Sequence, residues 1–146
     1  MRKQTGFTLI EILVTVVVLA IGLLGLAGLQ ATALRFNSSA SQRSQATILA
    51  YDILEQMRAN VKGVRCGFYD AANTQRPGED CNAILVAGLN GIAVTDTGRW
   101  TTALNNTLPS ANGTINYDGA IVTITIQWDD SRGQETPNQF IVTTEL

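Results

Sequence analysis

Three features of this 146-residue sequence predict an α+β fold. Residues 7–29 are almost all Leu, Val, Ile, Ala or Gly. Residues 30–60 contain neither Pro nor Gly and carry an apolar stripe at helical spacing. The C-terminal third alternates apolar and polar side chains with the period of a half-buried strand. Together they describe a long N-terminal α-helix, half apolar all round and half amphipathic, with a small antiparallel sheet of about three or more strands.

The first element is long enough to cross a bilayer, since residues 7–29 span about 34 Å at the helical rise. Met1, Arg2 and Lys3 put positive charge ahead of it, which keeps that end in the cytoplasm and sends the rest across. A secretory signal would have a shorter apolar region ending at small residues, and here only Ala31 and Ala33 offer a weak match. The anomaly is Glu11. A carboxylate inside an apolar span costs on the order of 2 to 3 kcal/mol, less near the interface, and such groups usually have a partner. Two explanations stand. Glu11 lies shallow enough to stay solvated, or it awaits a positive group on another chain, such as the α-amino group freed by a cut before Phe7. Gly22, Gly25 and Gly28 recur at three-residue spacing, either as a close-packing stripe between helices or as points of helix weakness.

Beyond the apolar span the helix continues. Residues 35–47 are polar and serine-rich, an exposed neck. Ala46, Ala50, Ile53, Met57 and Val61 then fall on one face, with Tyr51, Asp52, Glu55 and Arg58 elsewhere and Glu55–Arg58 as a weak ion pair. Gly63 is expected to end the helix. A turn-rich loop holds Cys66 and Cys81, and residues 96–108 read as a short helix stopped by Pro109, with Trp100 and Leu104 as core anchors. Residues 114–117 and 120–128 form a hairpin about an Asp118-Gly119 turn of type I′. Val122, Ile124, Ile126 and Trp128 share its buried face, and Phe140, Val142, Thr144 and Leu146 alternate in a last strand.

Composition narrows the function classes. There is no His, so the commonest general base and metal ligand are missing. Ser and Thr have no base to activate them, no phosphate-cradling loop occurs, and Asp129, Asp130 and Glu135 lack the spacing and glycine of a calcium loop. An enzyme is rejected, and no cofactor or metal is expected. Net charge is −2, and −4 once Arg2 and Lys3 are removed, which excludes nucleic acid as a partner.

The N-terminus, Arg2-Lys3-Gln4-Thr5-Gly6 followed by Phe7-Thr8-Leu9-Ile10-Glu11, resembles the class III signal of type IV pilins and type II secretion pseudopilins. The resemblance implies that a prepilin peptidase removes residues 1–6 by cutting between Gly6 and Phe7. It also implies that Phe7 is then N-methylated and that Glu11 directs assembly into a helical filament. Residues 7–29 would be the membrane and filament-core half of the helix, 30–62 its periplasmic half and 63–146 the head. Within that family the chain looks most like the PilV group of minor pilins, on residues 22–30, 52–60, Trp100 with Leu104, Leu108-Pro109 and Gln127-Trp128.

That likeness implies a structural subunit that helps initiate or cap a type IV pilus in biogenesis, twitching motility and adhesion. It is held in the inner membrane, head in the periplasm, before joining the fibre at the cell surface. The implied partners are other minor pilins, the major pilin, the inner-membrane assembly platform and, at the fibre end, a tip adhesin. The alternatives are a minor pseudopilin of type II secretion and, from another class, an anchored periplasmic binding module. In an oxidising periplasm Cys66 and Cys81 are expected to bond, contributing about 3 kcal/mol for a loop of this length. Many major pilins close a C-terminal loop with their disulfide, so this placement argues against the major subunit. Family members commonly break the helix at a proline near residue 28, which this sequence lacks.

Overall fold

In the computed structural model, residues 6–70, 72, 76, 80, 81 and 84–146 are described, the side chains of 84–87 excepted. Expectations for residues 1–5 and for most of the turn-rich stretch 73–79 lie outside them. The chain divides into two units, Met1–Ser39 and Ala40–Leu146.

From Leu9 onward the first unit is helix. α1 (Leu9–Ala59) begins two residues later than the apolar run because Thr8 caps it. Thr8 O accepts from Glu11 N (3.1 Å) and Ile12 N (3.3 Å), and Thr8 Oγ1 lies 3.4 Å from Glu11 N. Thr8-x-x-Glu11 is the pattern of a capping box, which places an acidic side chain over the unpaired amides of the first turn. The two threonines farther along need nothing from outside. Thr15 Oγ1 donates to Ile12 O (2.7 Å) and Thr32 Oγ1 to Gly28 O (3.0 Å). Gly22, Gly25 and Gly28 remain helical, with nothing within 4 Å of where a Cβ would stand.

The second unit holds the rest: the part of α1 from residue 40, α2 (Val61–Arg65), α3 (Ile84–Thr107), β1 (Asn112–Asp118), β2 (Ile121–Trp128) and β3 (Asn138–Glu145). The strands form one antiparallel sheet in the order β1-β2-β3. The predicted helix stripe is buried, with Ala46, Ala50, Ile53 and Met57 at 0% exposure, while Val61 at its end is half-buried. These residues join Trp100 and Leu104 of α3 and Ile115, Tyr117, Val122, Ile124, Ile126 and Trp128 of the sheet in one core. Trp100 is an anchor in that core: its Nε1 donates to the Leu49 carbonyl (3.0 Å), joining α3 to α1. Glu55 and Arg58 pair at 2.5 Å on the exposed surface, where such a bridge adds little stability.

Three boundaries differ from expectation. Gly63 does not end the helix. α1 stops at Ala59, and Asn60 starts α2 by accepting from Gly63 N through Oδ1 (3.2 Å). A Cβ at Gly63 would lie 2.5 Å from Asn60 Nδ2, so the glycine makes room for the cap rather than breaking the chain. The short helix expected at 96–108 begins earlier, at Ile84, and Gly88, Gly91 and Gly98 are all absorbed into it, each with open space around the missing Cβ. The hairpin turn is shifted by one residue. Asp118 pairs with Ile121, leaving Gly119 and Ala120 as the loop, and of these two only Gly119 has positive φ (64°). Ala120 N bonds Asp118 O at 2.7 Å, so the single residue Gly119 makes the bend, and a type I′ turn, which needs positive φ at both positions, is not formed. The facing of the strands is unaffected: β2 buries Val122, Ile124, Ile126 and Trp128.

Gly113 is the close-approach glycine of the sheet. A Cβ there would stand 2.5 Å from both Leu104 Cδ1 and Trp100 Cη2. Gly113→Ala is therefore expected to lower stability by about 1 to 3 kcal/mol through overpacking. Gly98→Ala, on the exposed side of α3, is expected to raise it by about 0.5 to 1 kcal/mol. Urea unfolding of the two variants beside the parent chain checks both signs.

Candidate functional site

The residues singled out by sequence lie in two places. Gly6, Phe7 and Thr8 precede the helix, exposed and without helical structure, and Glu11 lies in the first turn of α1. Residues on both sides of the Gly6–Phe7 bond are thus open to an enzyme. Glu11 has a local explanation that sequence reasoning passed over, although the Thr-x-x-Glu signature was in plain sight. At the helix N-terminus the unpaired amides carry partial positive charge, which stabilises a carboxylate there.

Beyond Glu11 the helix has no protein cover. Leu9 is 88% exposed, Leu24 74% and Phe36 73%, and every residue of α1 from 9 to 38 is exposed. The helix is long and apolar enough to cross a membrane. Between Glu11 and Asp52 its only charges are Arg35 and Arg43.

The second place is the joint after α1. Cys66 and Cys81 form a disulfide, Cα atoms 5.7 Å apart, and Cys66 is buried. Beside Cys66 in sequence, a buried polar network replaces the expected helix stop. Asn60 Nδ2 donates to Leu89 O (3.1 Å) and to Tyr69 Oη (3.2 Å), and Tyr69 Oη donates to Asp96 Oδ2 (2.6 Å). Asn60 and Tyr69 come from the turn around α2 and Asp96 from α3, a contact across the chain that no local spacing announces. Burial first, and the Asp96 carboxylate second, push the Tyr69 hydroxyl above the ordinary tyrosine range. At the far end of the sheet, Asp129 is a solvated turn residue. Its carboxylate accepts from the Ser131 hydroxyl (2.6 Å), Ser131 N (2.8 Å) and Gly133 N (2.6 Å), which hold it below its usual range.

Little here suggests chemistry on a substrate. A shallow groove of about 280 Å³ beside β1 is floored by Tyr69 and Trp100, both already committed to internal hydrogen bonds. Among the described residues no cluster of three His, Cys, Asp or Glu is placed to hold a metal.

Comparison with known proteins isolates the N-terminus. Residues 1–27 match the family model of the prokaryotic N-terminal methylation motif. The chain begins with a class III signal. That motif supports a type IV pilin-like or pseudopilin protein, a structural subunit processed by a prepilin peptidase. No curated protein and no solved structure matches the chain.

The Tyr69 network generates a pH prediction. An acid whose folded pKa is raised contributes stability that is present below its unfolded pKa, about 10 for tyrosine, and is lost as pH rises beyond it. Tyr69→Phe is expected to melt lower than the parent at neutral pH, with the gap narrowing as pH rises past about 10. Thermal melts followed by circular dichroism across that interval check the sign.

Proposed function

We propose that this chain is a minor pilin of a type IV pilus, most like the PilV group, which helps initiate or cap the fibre. The observation that supports the reading best is a coincidence at one end of the chain. A methylation motif with Gly6, Phe7 and Glu11 in place leads directly into a helix whose apolar side chains have no protein partner. Such a helix serves twice. It anchors the subunit in the inner membrane with the head in the periplasm, and after removal of residues 1–6 it packs among the helices of other minor pilins and the major pilin.

In this reading residues 7–29 form the filament core, 30–62 carry the chain to the head, and 63–146 present the sheet and the disulfide loop to neighbours, the assembly platform or a tip adhesin. Glu11 has two successive roles. In the stored subunit it is held by its own helix N-terminus. In the fibre it meets the methylated α-amino group of Phe7 on an adjacent subunit, an ion pair whose mutual attraction is stronger inside an apolar bundle than in water and which is costly to leave half-made.

The same N-terminus suits a minor pseudopilin of type II secretion, and the place of recovery separates the two. A minor pilin comes away with fibres sheared from the cell surface, whereas a pseudopilin stays in the envelope. Glu11→Ala tests the assembly role. Loss of one partner of a buried pair costs about 3 to 5 kcal/mol, so incorporation is expected to fall by well over tenfold while processed chain accumulates in the membrane. Immunoblots of sheared and membrane fractions read this directly, and unchanged incorporation contradicts the pairing.

A further inference from the structure

We propose that the groove beside β1 receives the guanidinium group of an arginine carried by a partner polypeptide. Its walls come from three places: Phe68 and Asp70 in the turn after α2, Thr97, Trp100 and Thr101 in α3, and the first residues of β1. What these side chains offer is decided by where their protons already go. Thr97 Oγ1 donates to Ala93 O (2.8 Å), Thr101 Oγ1 to Thr97 O (2.8 Å), Tyr69 Oη to Asp96 Oδ2 (2.6 Å) and Trp100 Nε1 to Leu49 O (3.0 Å). Each of these donors is spent inside the head.

What remains is oxygen lone pairs and aromatic ring faces, both of negative potential. The Asp70 carboxylate adds to them. Its Oδ1 accepts from Ala72 N (3.2 Å), and the two oxygens of a carboxylate have about four acceptor sites between them. Thr114 on the rim is exposed, and its hydroxyl can turn either way. Among the described residues no Lys or Arg lines the groove. The group that complements such a surface is a cation rich in N–H donors.

Size and shape define it further. Sites for free small molecules run from about 300 to 1,000 Å³ and enclose most of the ligand, whereas this groove is shallow and holds about 280 Å³. That is room for the end of one side chain brought in by a larger partner. Guanidinium suits it better than ammonium. It is planar and weakly hydrated, so it can stack on a ring such as the half-buried Phe68 while its donors fan out to acceptors on separate elements, the α3 hydroxyls and Asp70.

The test uses the full-length chain in detergent and three short peptides, Gly-X-Gly blocked at both ends, in which X is arginine, lysine or the neutral isostere citrulline. Amide NMR signals of Thr97, Thr101 and Gly113 are expected to shift with the arginine peptide, with a Kd on the order of millimolar for one side chain. The citrulline peptide should bind at least tenfold more weakly, and the lysine peptide should fall between them. Asp70→Asn should weaken arginine binding about tenfold. Because Asp70 is buried, Thr101→Val serves as the second variant: it removes one acceptor from an exposed helix position and should weaken binding severalfold while the thermal melt stays near that of the parent. The proposal is overturned by any of three results: no shift at those amides, equal binding of the citrulline or lysine peptide, or the same shifts produced by raising the concentration of the chain alone. None of these bears on the fibre reading, which rests on the N-terminal motif and helix.

Discussion

A helix that leaves its apolar side chains without protein cover requires another phase to cover them. Each such side chain gains about 1.5 to 3 kcal/mol on leaving water, and residues 9–34 of α1 present many of them. Hydrocarbon or a bundle of similar helices are two environments that satisfy this demand, and the methylation motif matched at residues 1–27 leads into this helix. Glu11 is consistent with each. The cap formed with Thr8 and the partial charge of the helix end lower the cost of holding a carboxylate at the start of an apolar run.

The head solves a different problem, that of a small domain with a small core. Its apolar centre is a helix stripe, one face of a three-stranded sheet and two anchors from α3. Polar ties then fix what the core alone does not. The indole of Trp100 bonds α1, and Asn60 and Tyr69 connect the turn around α2 to α3. The disulfide restrains the segment between α2 and α3. The sheet ends in two edge strands, β1 and β3, of which β1 buries its inward Ile115 and Tyr117 while the inward residues of β3 are half-buried.

Periodicity made most of this legible. Ala46, Ala50, Ile53 and Met57 repeat with the helix and are buried. Val122, Ile124, Ile126 and Trp128 repeat with the strand and are buried. What periodicity does not encode is where an element stops when the reason lies elsewhere in the chain. Asn60 interrupts a continuous helical pattern because its side chain reaches both Gly63 and Leu89. The first turns of α3, with Gly88 and Gly91, lay outside the helix expected from residue 96, yet a glycine facing solvent costs a helix only about 1 kcal/mol. The hairpin was displaced by one residue because a single glycine can make a bend that an Asp-Gly pair was expected to share. At the N-terminus the motif residues are adjacent in sequence, so the signal matched at residues 1–27 was legible, while the capping role of Thr8 escaped.

The central claim is that the chain is cut between Gly6 and Phe7 and that its helix then changes environment. The most direct measurement is the intact mass and N-terminal sequence of the chain extracted from membranes of cells with and without the prepilin peptidase. The account predicts a chain beginning at Phe7 and carrying one added methyl group when the peptidase is present, and a chain retaining residues 1–6 when it is absent. A chain that begins at Met1 in both, or one cut after the small residues near Ala33, contradicts it.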